Sequence, residues 1–258
     1  MSLARVPDEA SVRTKISEEE WQLRVDLAAL YRLVALEGWD DLVFTHLSLR
    51  VPGPAHHFLI NPFGMLFEEI TASCLVKVDQ GGEKVLDTPY NINPAGFVIH
   101  GAIHMAREDA HCVMHLHTEA GVGVAAQEHG LLPISQHAMV LGPVAYHDYE
   151  GIAVDLDERA RLVEDLGRER TVMILRNHGT LAIGRNCAAA WLRMWHLERA
   201  CAMQTRAQSG GALLSMPNQG VPEKAAAFAK SSFDDRAPQM IWPAMLRKLD
   251  RIDQSYRH

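Results

Sequence analysis

Short runs in which apolar residues recur at every second position are interleaved along this chain with longer runs spaced by three and four, and this alternation restricts the fold more than any other feature. Leu47, Leu49 and Val51 alternate with His46, Ser48 and Arg50, the pattern of a half-buried strand. Residues 58–60 read as its neighbour, with Asn61-Pro62-Phe63-Gly64 as the turn. Val76 and Val78 face Val85 across Asp79-Gln80-Gly81-Gly82, a hairpin signal. Further strands are expected at 112–117, 172–175 and 181–183, and residues 131–146 read as strands turning at Gly142-Pro143. Between these lie helical patterns. Ser17 and Glu20 look like a capping box, after which Leu23, Leu27, Leu30, Tyr31 and Val34 recur until Gly38. Other helices are expected over 94–107, over 119–128 and over 157–166 with Gly167 at C′, and a long one passes through Ala190, Met194, Leu197 and Cys201.

Residues 1–16 are polar and read as a flexible segment. Residues 17–208 read as one domain, with a mixed or mainly antiparallel sheet covered by helices. The stretch 208–240, rich in Ser, Gly, Pro and Ala, reads as a mobile loop. A last helix would begin with Pro243 at its first position and bury Met245, Leu249, Ile252 and Tyr256. The segment 209–258 would pack on the same domain or on a neighbouring subunit.

Composition narrows the function class. The formal charge of −7 argues against a general nucleic-acid binder, which would carry a basic stripe. No apolar run approaches ~18 residues, so no membrane span is expected. The amino-terminal MSLARVPDEA has no apolar core of a secretion signal, and a cytoplasmic protein is expected. Cys74, Cys112, Cys187 and Cys201 form no C-x-x-C pair and read as reduced, buried small apolar residues.

Fourteen histidines is many for 258 residues, and the run Val113-Met114-His115-Leu116-His117 uses them most informatively. Two residues apart on a strand, His115 and His117 project from one face with Cβ atoms ~6.5 Å apart. A metal with bonds of ~2.0–2.1 Å to nitrogen bridges that gap. The same pattern also fits two half-buried histidines bonded to backbone carbonyls. His178 is the best third ligand, because it follows the 172–175 strand between Asn177 and Gly179, in a strand-end loop. A rival pair, His100 and His104, sits at i and i+4 but lacks the glutamate of a metalloprotease helix, and reads as structural. No G-x-S-x-G, Walker A or G-x-G-x-x-G motif occurs.

The segments THLSLRV, FLINPFG, EITASCLVKVD, NPAGFVIHGAIH, HCVMHLHTEAG, LLPIS, VAYHDYEG and ILRNHGTLAIG, in this order, resemble the class II aldolase/adducin family over roughly residues 20–208. The stretch from LLPIS to RNHG is similar to the adducin head and its bacterial relatives. The resemblance implies a three-layer α/β/α sandwich around a central, mainly antiparallel sheet, and a homotetramer with sites at subunit interfaces. It also implies a divalent metal held by His115, His117 and His178: zinc first, with iron or manganese as alternatives. The glutamate that the family's aldolases place nineteen residues before the first histidine of H-x-H is matched here by Gly96. Of their phosphate anchors only Gly64 is kept; His46, Phe63, Pro94 and Ala95 stand at the other matched positions.

The expected function is a metal-dependent carbon–carbon lyase, by aldol cleavage or decarboxylation, on a small oxo or hydroxy acid rather than a phosphorylated ketose. The alternatives are a non-haem iron oxygenase on the same ligands and a non-catalytic adducin-like binding module. His137, His147 and Tyr149 are the proton-transfer candidates. Arg50 and Arg176 could meet a substrate carboxylate by a bidentate pair. A small molecule is the expected partner, with no nucleic acid and no membrane.

Overall fold

The computed structural model of the chain describes residues 9–53, 56–151 and 157–258; the side chains of Pro94, Ala95 and Phe97 also lie outside what it describes. Helix α1 (Glu9–Arg13) buries Val12, so part of the segment expected to be flexible is helical; residues 1–8 lie outside the described residues. Helix α2 (Glu18–Leu36) starts where Ser17 accepts the Glu20 N–H at 3.1 Å. The expected capping box is only half made. The Glu20 carboxylate turns inward to Arg24 (3.2 Å) and Lys77 (2.6 Å), because two buried or half-buried cations offer it more than one backbone N–H does.

Among the described residues seven strands form one sheet: β1 (His46–Arg50), β2 (Phe58–Ile60), β3 (Val76–Val78), β4 (Cys112–Leu116), β5 (Ala145–His147), β6 (Val172–Leu175) and β7 (Gly179–Gly184). Their order is β3-β2-β1-β4-β7-β6-β5. Every pairing is antiparallel except β5 with β6. Val78 bridges Lys84, closing the hairpin read from Gly81-Gly82.

Strand alternation decides which residues meet which helices. Leu47, Leu49, Cys112, Met114, Leu116, Val172, Ile174 and Ala182 face one side and join α2 and α7 (Cys187–Ser209) in the main core. Val113, Met173, Leu175, Leu181 and Ile183 face the other side, against α3 (Pro94–Ala106) and α6 (Glu158–Leu166). The result is the three-layer α/β/α sandwich. Its second face matters most here, because His46, Ser48 and His115 share it with α3.

Four expected elements differ. Residues 131–146 are not a pair of strands: α5 (Gln136–Leu141) precedes the short β5, and Ser135 caps it by accepting the Ala138 N–H at 3.2 Å. The 208–240 loop contains α8 (Val221–Ser231), with Pro222 in its first turn, and a π-helical turn over Ser232–Arg236. The last helix, α9, spans Ala237–Asp250; the first-turn proline is Pro238, and Pro243 lies inside. Of the expected stripe, Leu249 and Tyr256 are buried, Met245 is half-buried, and Ile252 is exposed because the helix has ended. Helix α4 (Glu119–Ala125) is shorter than the pattern suggested. Trp242 donates to Asp26 at 3.1 Å, and Leu249 and Tyr256 join the main core, so this end of the chain lies on the α2 face. Among the described residues no helix is long and apolar enough to cross a membrane.

Candidate metal centre

Three elements converge at the end of β4. His115 is the fourth residue of the strand, buried against the α3 face; His117 follows one residue past the strand's end, on the same side. His178 comes from the turn between β6 and β7. Asn177 there holds a left-handed φ of +57°, which its short polar side chain tolerates, and its N–H reaches the Ala125 carbonyl at 3.2 Å. Gly179 follows because nothing larger fits: a Cβ would lie 2.3 Å from the Leu116 carbonyl oxygen. The Asn-His-Gly turn is therefore pressed against the end of the H-x-H strand. The three rings form a nearly equilateral triangle, with centroids 4.8 Å (115–117), 4.7 Å (115–178) and 4.8 Å (117–178) apart. One ligand nitrogen from each lies within 4.8 Å of the others.

Hydrogen bonds at the rear of two rings decide what the front can do. His115 Nδ1 faces the Thr180 carbonyl at 3.1 Å, and a carbonyl can only accept, so Nδ1 carries the proton. His117 Nδ1 faces the Asp41 carboxylate at 3.1 Å and likewise donates. Both Nε2 atoms of the neutral rings are therefore lone pairs, and they stand 3.0 Å apart. Two lone pairs at that distance repel, unless a cation sits between them. Nitrogens bound tetrahedrally at ~2.0–2.1 Å stand roughly 3.3 Å apart, so the donor set fits a metal such as zinc. Burial holds His115 far below the ordinary histidine range and, with the neighbouring rings, brings His178 down to about 4. Neutral imidazole is the ligating form.

Behind this layer lies another. Glu198 of α7, buried, accepts from Thr180 Oγ1 at 2.7 Å and from Thr118 Oγ1, so one carboxylate ties the residue after His117 to the residue whose carbonyl orients His115. Such partners fix ring orientation, and their loss costs about 10–100-fold in metal affinity. Asp41→Ala is accordingly expected to weaken zinc binding by about that factor with little change in stability, measured by competition with a chromophoric chelator. An unchanged affinity would show that Asp41 does not orient His117.

A cavity of about 280 Å³ opens beside the triangle, lined in part by His46, Asn93, Ile99 and Tyr149. Tyr149 is exposed, with its ring 5.8 Å from His178, and is brought to the centre. The other candidates go elsewhere in this chain. His147 is buried with Nδ1 on Asp165 (2.7 Å) and Nε2 facing Glu158 (3.3 Å), which occupies both nitrogens. His137 lies beside His196, with the rings tilted and 5.3 Å between centroids. Arg50 donates to the His104 and Arg107 carbonyls and so closes the end of α3. Arg176 reaches the Gln127 and Glu128 carbonyls and lies over the Tyr146 ring. Gly64, at φ +96°, supplies the turn after β2. A larger cavity of about 460 Å³, between α5 and α8, holds none of the histidines.

Residues 25–205 match the family described as Class II Aldolase and Adducin N-terminal domain. The chain belongs to that family. An aldolase II superfamily protein from Pseudomonas syringae superposes on this class II aldolase/adducin chain with a TM-score of 0.92 at 52% identity, covering 96% of this chain and 100% of that one. The L-fuculose 1-phosphate aldolase of Glaciozyma antarctica PI12 gives 0.80 at 27% identity, over 98% of this chain and 96% of that one. Rat (Rattus norvegicus) alpha-adducin is 47% identical over 194 residues, 73% of this chain and 26% of adducin's length.

Sequence reasoning missed Asp41, which sits in the α2–β1 connection with no local pattern to mark it. It had the parts of another feature without joining them: His46 and Ser48 on one strand face, His100 and His104 one helical turn apart. All four are buried and hydrogen-bonded to one another. His104 shows what burial does to stability. Its pKa falls from 6.5 to about 3, chiefly through burial. Between those values the unfolded chain binds a proton that the folded chain refuses, so unfolding gains as pH drops. The contribution of this ring is complete above about pH 6.5 and is lost progressively as the pH falls toward about 3. At a pH of about 5.5 this residue alone should cost about 1.4 kcal/mol. Urea midpoints measured at pH about 7.5 and about 5.5 would check this, and equal midpoints would contradict it.

Proposed function

We propose that this chain is a metal-dependent carbon–carbon lyase of the cytoplasm, acting by aldol cleavage or decarboxylation on a small oxo or hydroxy acid, and working as a homotetramer. The observation that carries the reading is the pair of opposed Nε2 lone pairs of His115 and His117, 3.0 Å apart with His178 completing the triangle. Three neutral nitrogens suit zinc with one position left open for substrate or water, whereas iron and manganese more often add a protein carboxylate. Bound there, the metal would act as a Lewis acid toward a substrate oxygen. The chain's own part is to hold His115 and His178 neutral by burial, to orient His115 and His117 through Thr180 and Asp41, and to offer Tyr149 beside His178 for proton transfer. The cavity's size favours a small ligand. The His46 ring fills the place of a side chain at Gly96, where the family's aldolases carry a glutamate: a Cβ there would lie 2.6 Å from the ring.

A second reading has its own support. The 47% identity with alpha-adducin favours a binding module of the adducin kind, its histidines serving structure alone. One experiment separates the readings. The purified protein is analysed for metal, then incubated with a panel of 2-oxo and 2-hydroxy acids while released carbon dioxide or carbonyl fragments are measured. The lyase reading expects zinc or manganese near one per chain, turnover, loss with a chelator and recovery with zinc. Iron with oxygen uptake would replace it by the oxygenase, and no metal with no turnover would leave the binding module.

A further inference from the structure

Beside the triangle, on the same sheet face, runs a buried line of polar groups that the metal does not need. His46 Nδ1 lies 3.0 Å from His100 Nε2; His100 Nδ1 lies 2.6 Å from Ser48 Oγ; Ser48 Oγ lies 2.7 Å from His104 Nε2; and His104 Nδ1 lies 2.7 Å from the Ala110 carbonyl. His46, Ser48, His100 and His104 are each 4% exposed or less. Phe58 stacks on the outer ring at 4.6 Å.

The Ala110 end sets the direction of every bond. A carbonyl accepts only, so His104 Nδ1 carries the proton and, in the neutral ring, Nε2 is an acceptor. The single Ser48 hydroxyl proton must go to that acceptor. The Ser48 oxygen then accepts from His100 Nδ1–H, leaving His100 Nε2 as a lone pair. His46 Nδ1 must donate to it. The three rings are buried and pair only with one another, with Ser48 and with a carbonyl, so there is no carboxylate in the line to balance a charge and each ring is neutral. The line therefore ends at His46 Nε2, an unprotonated nitrogen with no hydrogen-bond partner among the described residues. The ring edge that carries it lies against Gly96, where the missing Cβ leaves room, and His46 lines the cavity beside the triangle.

We infer that the buried line His104–Ser48–His100 fixes His46 as its Nδ1–H tautomer, so that His46 Nε2 is a built-in hydrogen-bond acceptor of the cavity and takes a hydroxyl or N–H donor of the bound small molecule rather than an anionic oxygen. Its consequence for the ligand rests on the function proposed above; the tautomer does not. His100, Ser48 and His104 are positioning residues, acting through His46. The lone pair makes the distinction: at this point an acceptor nitrogen takes the hydroxyl of a hydroxy acid and repels a carboxylate oxygen.

The test is ¹⁵N-histidine NMR on the full chain, zinc-exchanged to avoid paramagnetic broadening, with His46→Gln to assign the ring. Wild-type His46 is expected to show Nδ1–H coupling and an unprotonated Nε2. In Ser48→Ala the direction is no longer imposed, so His46 should pass to the Nε2–H form or to an exchanging mixture, and Ser48→Thr should restore the single tautomer. An Nε2–H signal in the wild type would overturn the inference, as would an unchanged His46 in Ser48→Ala. The wild-type measurement stands even if a variant fails to fold. Neither readout needs metal to be retained, so failure here is distinct from failure of the metal reading.

Discussion

His115→Ala is expected to leave the purified protein without bound metal while the chain stays folded. The ring supplies one of three ligand nitrogens, and its loss leaves two, on His117 and His178, with no other group of three ligands among the described residues. Removing a partner that merely orients a ligand already costs about 10–100-fold in affinity; removing the ligand costs more, and metal content after dialysis should fall from near one per chain to near zero. The fold should survive. The substitution deletes a donor to the Thr180 carbonyl at 3.1 Å, for a cost of about 1–3 kcal/mol, and water can enter from the adjoining cavity. Elemental analysis beside far-ultraviolet circular dichroism reads both effects. A folded, fully loaded variant would refute the ligand assignment.

The largest stability effect is expected from Gly179→Ala. The change adds one methyl group, at a place where the obstacle is backbone. Its Cβ would lie 2.3 Å from the Leu116 carbonyl oxygen, 3.0 Å from His117 Cδ2 and 3.3 Å from His115 Cε1. Leu116 is held in the sheet by its pairing with Thr180, and Gly179 by its pairing with Leu175, so neither strand can retreat without breaking the ladder. Overpacking of this kind costs about 1–3 kcal/mol or more. At the upper half of that range the Tm of a chain this size should fall by on the order of 4–12 °C. Because the clash falls between the two halves of the metal triangle, zinc affinity should fall with it. Thermal unfolding that matched the wild type would mean that the β6–β7 turn is not pressed against β4 in solution.

Both predictions depend on contacts between residues more than sixty positions apart, and this marks the boundary of what could be read from the chain. Strand and helix positions were legible wherever burial imposes a period. The alternation around Leu47 and Leu49 gave β1, and the spacing from Leu23 to Val34 gave α2. Where burial is slight, composition dominated the reading. Helix α8 buries only Ala229 and leaves Phe228 exposed, so Gly220 and Pro222 read as loop punctuation although they open a helix. In 131–146 the apolar residues suggested strands, and the Ser135 cap was the overlooked signal for α5.

By itself the sequence determined that His115 and His117 share a face, because side chains two apart on a strand must do so, and that an Asn-His-Gly turn could present His178. It determined the alternation of layers for the same reason: the pleat and the helical turn are local geometry, fixed by the backbone. Tertiary structure alone decided that the Asn-His-Gly turn lands on the end of β4. It also decided that Asp41 and the Thr180 carbonyl set two tautomers, that His147 is engaged by two carboxylates, and that the Ala110 carbonyl orients a line of hydrogen bonds ending at His46. These are pairings between distant segments. The direction of a hydrogen bond depends on which acceptor lies opposite, and no property of a residue's own neighbours in the chain specifies that.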